Sequence, residues 1–177
     1  MSEGNELPRS VLFKNLIADK PWLYIIARFI KSYPGLTIEE LKEASKLKID
    51  VVKRGVWWLK KYGIIEEKNG KLFITREYSD IMESMIYNTC SIGDYTVLLL
   101  DKVYLVYLVR EGKIEYWSLP VDYYEKIKYY ENITGGTYTP SEIASILGVD
   151  PGTARRVHLL IELLRQCKPS QTRGSRS

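Results

Sequence analysis

From Trp22 to Ile30, apolar side chains (Trp22, Ile25, Ile26, Phe29, Ile30) recur at the spacing that brings them to one side of an α-helix. Asp19 is placed as its cap and Pro21 in its first turn, and Pro34-Gly35 ends it. A second helix opens at Thr37, where Glu40 completes a capping-box pattern and Leu41 and Ala44 form the inward stripe. A third is predicted over roughly Ile49 to Tyr62. On a helical wheel Ile49, Val51, Val52, Gly55, Val56, Trp58, Leu59 and Tyr62 fall in one half. Asp50, Lys53, Arg54, Trp57, Lys60 and Lys61 fall in the other, so the outer face is basic with Trp57 in its middle. Gly63 stops this helix. "GIIEEKNGKLFIT" then alternates as two strands around Asn69-Gly70, a pair that tolerates the positive φ of a tight hairpin.

Beyond the hairpin, Tyr78, Ile81, Met82, Met85 and Ile86 return to helical spacing. After Gly93-Asp94 the pattern changes. Tyr95–Leu100, Val103–Val109 and Ile114–Leu119 are rich in Val, Leu and Tyr, with Glu111-Gly112 as a turn. They read as a short antiparallel meander, with a buried helix over 95–109 as the competing assignment. Asp122 is placed as the cap of a Tyr-rich helix, "YYEKIKYY", and Gly135-Gly136 as a hinge. "TPSE" supplies a cap at Thr139, a first-turn Pro140 and a closing Glu142. Ile143, Ala144 and Leu147 face inward, Gly148 makes a turn above Val149, and Asp150-Pro151 starts the last helix. There Thr153, Ala154, Val157, Leu160, Ile161 and Leu164 share one arc; Gly152, Arg155 and Arg156 lie opposite, together with Leu159 and Leu163. The second half of this helix therefore needs cover on both sides, from the middle of the chain or from a partner chain.

Charge sharpens the picture. The net charge over 177 residues is only +4, but it is unevenly placed. Between Lys42 and Lys61 seven bases stand against Glu43 and Asp50; between Thr153 and Ser177 six bases stand against Glu162; between Tyr78 and Gly136 nine acids outnumber five bases. Two basic poles flank an acidic middle, and both coincide with predicted helix pairs. Cys90 and Cys167 are the only cysteines and His158 the only histidine, too few for a Cys/His zinc site and pointing away from a disulfide scaffold. Asp94, Asp101, Glu111 and Glu115 read as turn and surface residues rather than metal ligands. No phosphate loop, paired-carboxylate motif or activated nucleophile is visible, so neither an enzyme nor a cofactor is expected. The absence of a membrane-length apolar run and of a signal-peptide pattern points to a cytoplasmic protein. Abundant Ile, Lys, Glu and Tyr with only two Gln resembles thermophile usage.

"LTIEELKEASKLKIDVVKRGVWWLKKYGIIEEKNGKLFIT" resembles the winged helix-turn-helix regulators of archaea and bacteria over about residues 20 to 75, including the spacing from Leu59 to Gly63-Ile64. It departs at Lys46, where that family often has a turn glycine. The resemblance implies a third helix that enters the DNA major groove and a hairpin wing that reaches a flanking groove or phosphates. Residues 139 to 165 are similar to the generic helix-turn-helix pattern, with Ala144, Gly148, Ala154 and Val157 at its usual small, turn and buried positions.

The expected fold is α+β and mainly helical. Its parts are an N-terminal arm (1–18), a winged-helix domain (19–76), a helix with antiparallel strands and a Tyr-rich helix (77–134), a helix-turn-helix unit (135–167) and a disordered basic tail (168–177). The expected partner is double-stranded DNA, bound by a homodimeric transcriptional regulator, with no membrane involved. Lys53, Arg54, Trp57, Lys60 and Lys61, with Lys68 and Lys71 on the wing, form one candidate surface; Thr153, Arg155 and Arg156 form the other. Leu159 and Leu163 are the candidate interface residues. The alternative is a winged-helix protein-interaction adaptor, with contacts through the Tyr-rich middle and these two leucines.

Overall fold

A computed structural model of the chain describes residues 7–86, 89–100 and 102–167. The fold is α+β, with eight helices and two small antiparallel sheets among the described residues. The chain divides into two compact units, residues 1–87 with 109–116, and residues 88–108 with 117–177. The basic tail 168–177 lies outside the described residues. No helix among the described residues is long and apolar enough to cross a membrane.

In the first unit, α1 (Arg9–Asp19) buries Phe13, Leu16 and Ile17. The Phe13 ring lies 6.1 Å from Tyr24 and 5.7 Å from Tyr78, so the segment read as an arm is a helix seated in the core. α2 (Pro21–Ser32) is its centre and buries Leu23 to Ala27 and Ile30. Lys20, not Asp19, occupies the cap position; the Asp19 carboxylate instead accepts a hydrogen bond from Lys20 Nζ at 2.7 Å. α3 (Ile38–Ser45) starts on Thr37, whose hydroxyl accepts from the Glu40 N–H at 3.2 Å. It buries Leu41 and Ser45, while Ala44 is exposed. Ser45 can occupy that inward position because its Oγ accepts from the Leu47 N–H and so has a partner.

α4 (Ile49–Lys61) crosses α2 at Gly55. A Cβ there would overlap Ile26 Cδ1 and lie 3.3 Å from Trp22 Cζ3. Close packing thus explains a glycine that costs helix stability at about 1 kcal/mol. β1 (Ile65–Lys68) and β2 (Lys71–Ile74) pair through Asn69 and Gly70, at φ 54° and 77°. The α2–α3 linker joins them: Leu72 N–H donates to the Leu36 carbonyl at 2.8 Å and Gly35 N–H to the Leu72 carbonyl at 2.9 Å. α5 (Arg76–Ile86) returns Tyr78, Met82 and Met85 to the core.

The second sheet is a meander in the order β3 (Thr89–Ile92), β4 (Tyr95–Leu100), β5 (Val103–Arg110), β6 (Lys113–Pro120). Strands thus replace the competing helix over 95–109. β3 escapes the sequence pattern because "TCSI" is short and half polar. α6 (Val121–Thr134) begins on Pro120 without a side-chain cap, so Asp122 lies in its first turn rather than capping it. Gly135 closes this helix at φ 73°. α7 (Pro140–Leu147) carries the full Thr139–Glu142 capping box, Gly148 turns at φ 67°, and Asp150 caps α8 (Pro151–Gln166). Val97, Val106, Leu119, Ile127 and Ile143 meet Ala154, Val157, Leu160, Ile161 and Leu163 in one core.

Glu131 is buried in this unit, accepting from Lys128 Nζ at 3.0 Å and Arg165 at 2.6 Å. Burial works to raise its carboxyl pKa, but these two cations outweigh it and hold the group below its ordinary value. Cys90 and Cys167 form a disulfide across a sequence separation of 77, with a Cα–Cα distance of 6.1 Å. The bond ties the end of α8 to edge strand β3, a proximity that two distant cysteines do not announce.

Candidate nucleic-acid interface

The outer face of α4 follows from its wheel. Four residues, Val52, Gly55, Val56 and Leu59, turn inward, which leaves Lys53, Arg54, Trp57, Lys60 and Lys61 exposed. Lys53, Arg54 and Lys71 make no ion pair among the described residues. Lys60 differs: its Nζ lies 2.8 Å from Glu67 on β1. Lys68 sits 3.4 Å from Glu66. Part of the positive charge that the sequence places on this surface is therefore already answered by acids of the hairpin. These are exposed pairs worth little to stability, and they exchange readily for other anions.

Trp57 is 55% exposed and is not covered by α1, which packs on α2 and α5. Its ring stands edge-on to Trp58, with centroids 5.0 Å apart at 82°. Trp58 stacks on Tyr62 at 5.8 Å and 13°. Lys61 Nζ lies 5.0 Å from the Trp57 ring centre and 5.1 Å from that of Trp58, within cation–π range. Lys20 Nζ lies 4.7 Å from Trp58, and its hydrogen bond to Asp19 raises its pKa. The wheel put Trp58 and Tyr62 in the buried half; in the fold Trp58 is half-buried and Tyr62 is 44% exposed. Their spacing of four residues is the sequence signal for this stack. Lys20, from another helix, gives no such signal.

A surface hollow of about 620 Å³ is lined by Ile38, Lys53, Val56, Trp57, Lys60, Lys61 and Glu67. Its apolar part comes from α3 and α4 and its charged rim from α4 and β1. At the other end of α4 the Lys48 N–H donates to the Gly112 carbonyl at 2.8 Å. That turn occupies the start of the helix and leaves its middle and C-terminal half as the open face.

In the second unit the candidate residues are less equivalent than the sequence suggests. Thr153 Oγ1 donates to Asp150 Oδ1 at 2.6 Å, and the Thr153 N–H donates to Oδ2 at 3.1 Å. These bonds hold the Asp150 carboxyl below its usual pKa and commit the Thr153 hydroxyl to the cap. Arg155 is exposed; Arg156 is exposed too, with its guanidinium 5.7 Å from the Trp117 ring centre. Leu163 is only 4% exposed and Leu159 packs half-buried on the same core. The unit's own core thus covers Leu163, so it offers no face to a second chain. His158 is half-buried. Among the described residues no group of three His, Cys, Asp or Glu is arranged to hold a metal.

Compared with known proteins, the chain matches no family model, no curated protein and no solved structure.

Proposed function

We propose that the chain is a double-stranded DNA-binding protein of the winged helix-turn-helix kind, acting as a transcriptional regulator. α4 enters the major groove, the β1–β2 hairpin serves as the wing beside it, and Arg155 and Arg156 supply a second basic contact. The protein acts as a homodimer, the arrangement in which such units commonly bind paired half-sites. The observation that carries this reading is the open outer face of α4, where Lys53 and Arg54, without acidic partners among the described residues, lie on the same exposed face as Trp57. Phosphate neutralisation by such cations releases counterions, so affinity must fall steeply with salt.

The test is a salt titration of duplex binding by fluorescence anisotropy. Replacing Lys53 and Arg54 together by Glu should weaken binding more than about tenfold and lower the salt slope by about two. Arg155→Glu with Arg156→Glu asks the same of α8. Duplex binding that ignores salt and the α4 substitutions removes this reading. Exposed Tyr129, Tyr130 and Ile133 on α6 favour the second reading, a protein-interaction adaptor, which that outcome would leave in place.

A further inference from the structure

We infer that the hollow beside α4 takes an unpaired nucleotide, its base stacked on Trp57 and its phosphate among Lys53, Lys60 and Lys61. The inference rests on the DNA-binding reading and names what its central site accepts.

Trp57 is 55% exposed, and it lines one hollow together with Ile38 and Val56, so its ring belongs to a shared apolar surface rather than standing as a lone exposed side chain. Trp57 is also held in place. Trp58 meets it edge-on at 5.0 Å and Lys61 lies 5.0 Å from its centre. Tyr62, stacked on Trp58, and Lys20, 4.7 Å from it, hold that neighbour in turn. A ring already fixed loses little freedom when a ligand stacks on it. The surroundings also have a pattern. Ile38 and Val56 continue the apolar surface of Trp57, and three lysines stand around it. A flat aromatic group joined to an anion matches that pattern, and a nucleotide has both parts.

In an intact duplex the faces of the bases are covered by their neighbours in the stack. A tryptophan at the groove then meets only base edges and sugars. A single-stranded end, gap or displaced base exposes its face, and stacking on an aromatic side chain accepts any base. The Lys60–Glu67 pair, 2.8 Å apart and exposed, opens to let a phosphate replace the carboxylate.

The experiment compares two duplexes of equal base-paired length, one blunt and one with a short 3′ single-stranded overhang, using the full chain at fixed salt. The overhang should bind about tenfold more tightly. Trp57→Ala should abolish that advantage and Trp57→Phe should restore part of it; the readout is the ratio of overhang to blunt-duplex affinity, which a general weakening of duplex binding leaves at its wild-type value. The exposed position makes loss of folding a minor concern, and an unchanged thermal melt checks it. Equal affinity for both duplexes, or an overhang preference that survives Trp57→Ala, overturns the inference while the DNA-binding reading stands. Failure to bind either duplex overturns both.

Discussion

The helix pairs α3–α4 and α7–α8 are the same backbone device written in different residues. Each opens on a threonine, Thr37 or Thr139, whose hydroxyl accepts from the backbone of a glutamate, Glu40 or Glu142. Each first helix has eight residues and ends on a left-handed residue, Lys46 at φ 62° or Gly148 at φ 67°. An apolar residue follows, Leu47 or Val149, then an extended cap, Lys48 or Asp150. The buried positions correspond as well: Leu41 with Ile143, Val52 with Ala154, Gly55 with Val157 and Leu59 with Ile161.

What differs is the outside. Beyond its start, the face of α4 stays open and carries Trp57 and Trp58 among cations. The face of α8 is basic only at its start; further on, Leu163 is buried and Arg165 is bound to Glu131 and Glu162. One backbone device thus yields an exposed basic face in the first unit and largely a packing element in the second. What the rest of each unit lays against the helix makes the difference.

The largest effect should come from the bond that fixes the end of α8. A disulfide closing so long a loop contributes about 2–4 kcal/mol. Cys167→Ser, or reductant, should lower the melting temperature reported by Trp117, the second unit's tryptophan. Melting followed in a Trp117→Phe background, through Trp22, Trp57 and Trp58, should move far less. Equal shifts in both would show that the two units do not respond separately.

A smaller change separates the two buried helix positions. Gly55→Ala forces a methyl group into Ile26 and should destabilise the first unit by about 1–3 kcal/mol, despite alanine's better helix propensity. Urea unfolding measures this, and a stabilised variant would refute the close approach of α2 and α4. The smallest effect concerns the turns. Lys46→Gly should stabilise the first unit by about 1 kcal/mol by removing a side chain from a left-handed conformation, and Gly148→Ala should destabilise the second by a similar amount. Opposite signs are the expected result; matching signs would deny that the two turns are equivalent.

The sequence by itself determined the two helix pairs, the Asn-Gly hairpin, the capping box at Thr139 and the outward basic face of α4. These depend on spacing and on backbone hydrogen bonds closed within a few residues, so the local pattern contains them. It also placed Lys46 at the turn without the usual glycine, and the backbone there is left-handed all the same. Only the tertiary structure decided that Glu67 answers Lys60, that Lys20 approaches Trp58, that core packing covers Leu163 and that Cys90 meets Cys167. Each of these joins residues whose separation along the chain carries no periodic signal. Which side chain lies beside another is then set by the path of the intervening backbone, and that path is fixed by the burial of the whole unit rather than by any one segment.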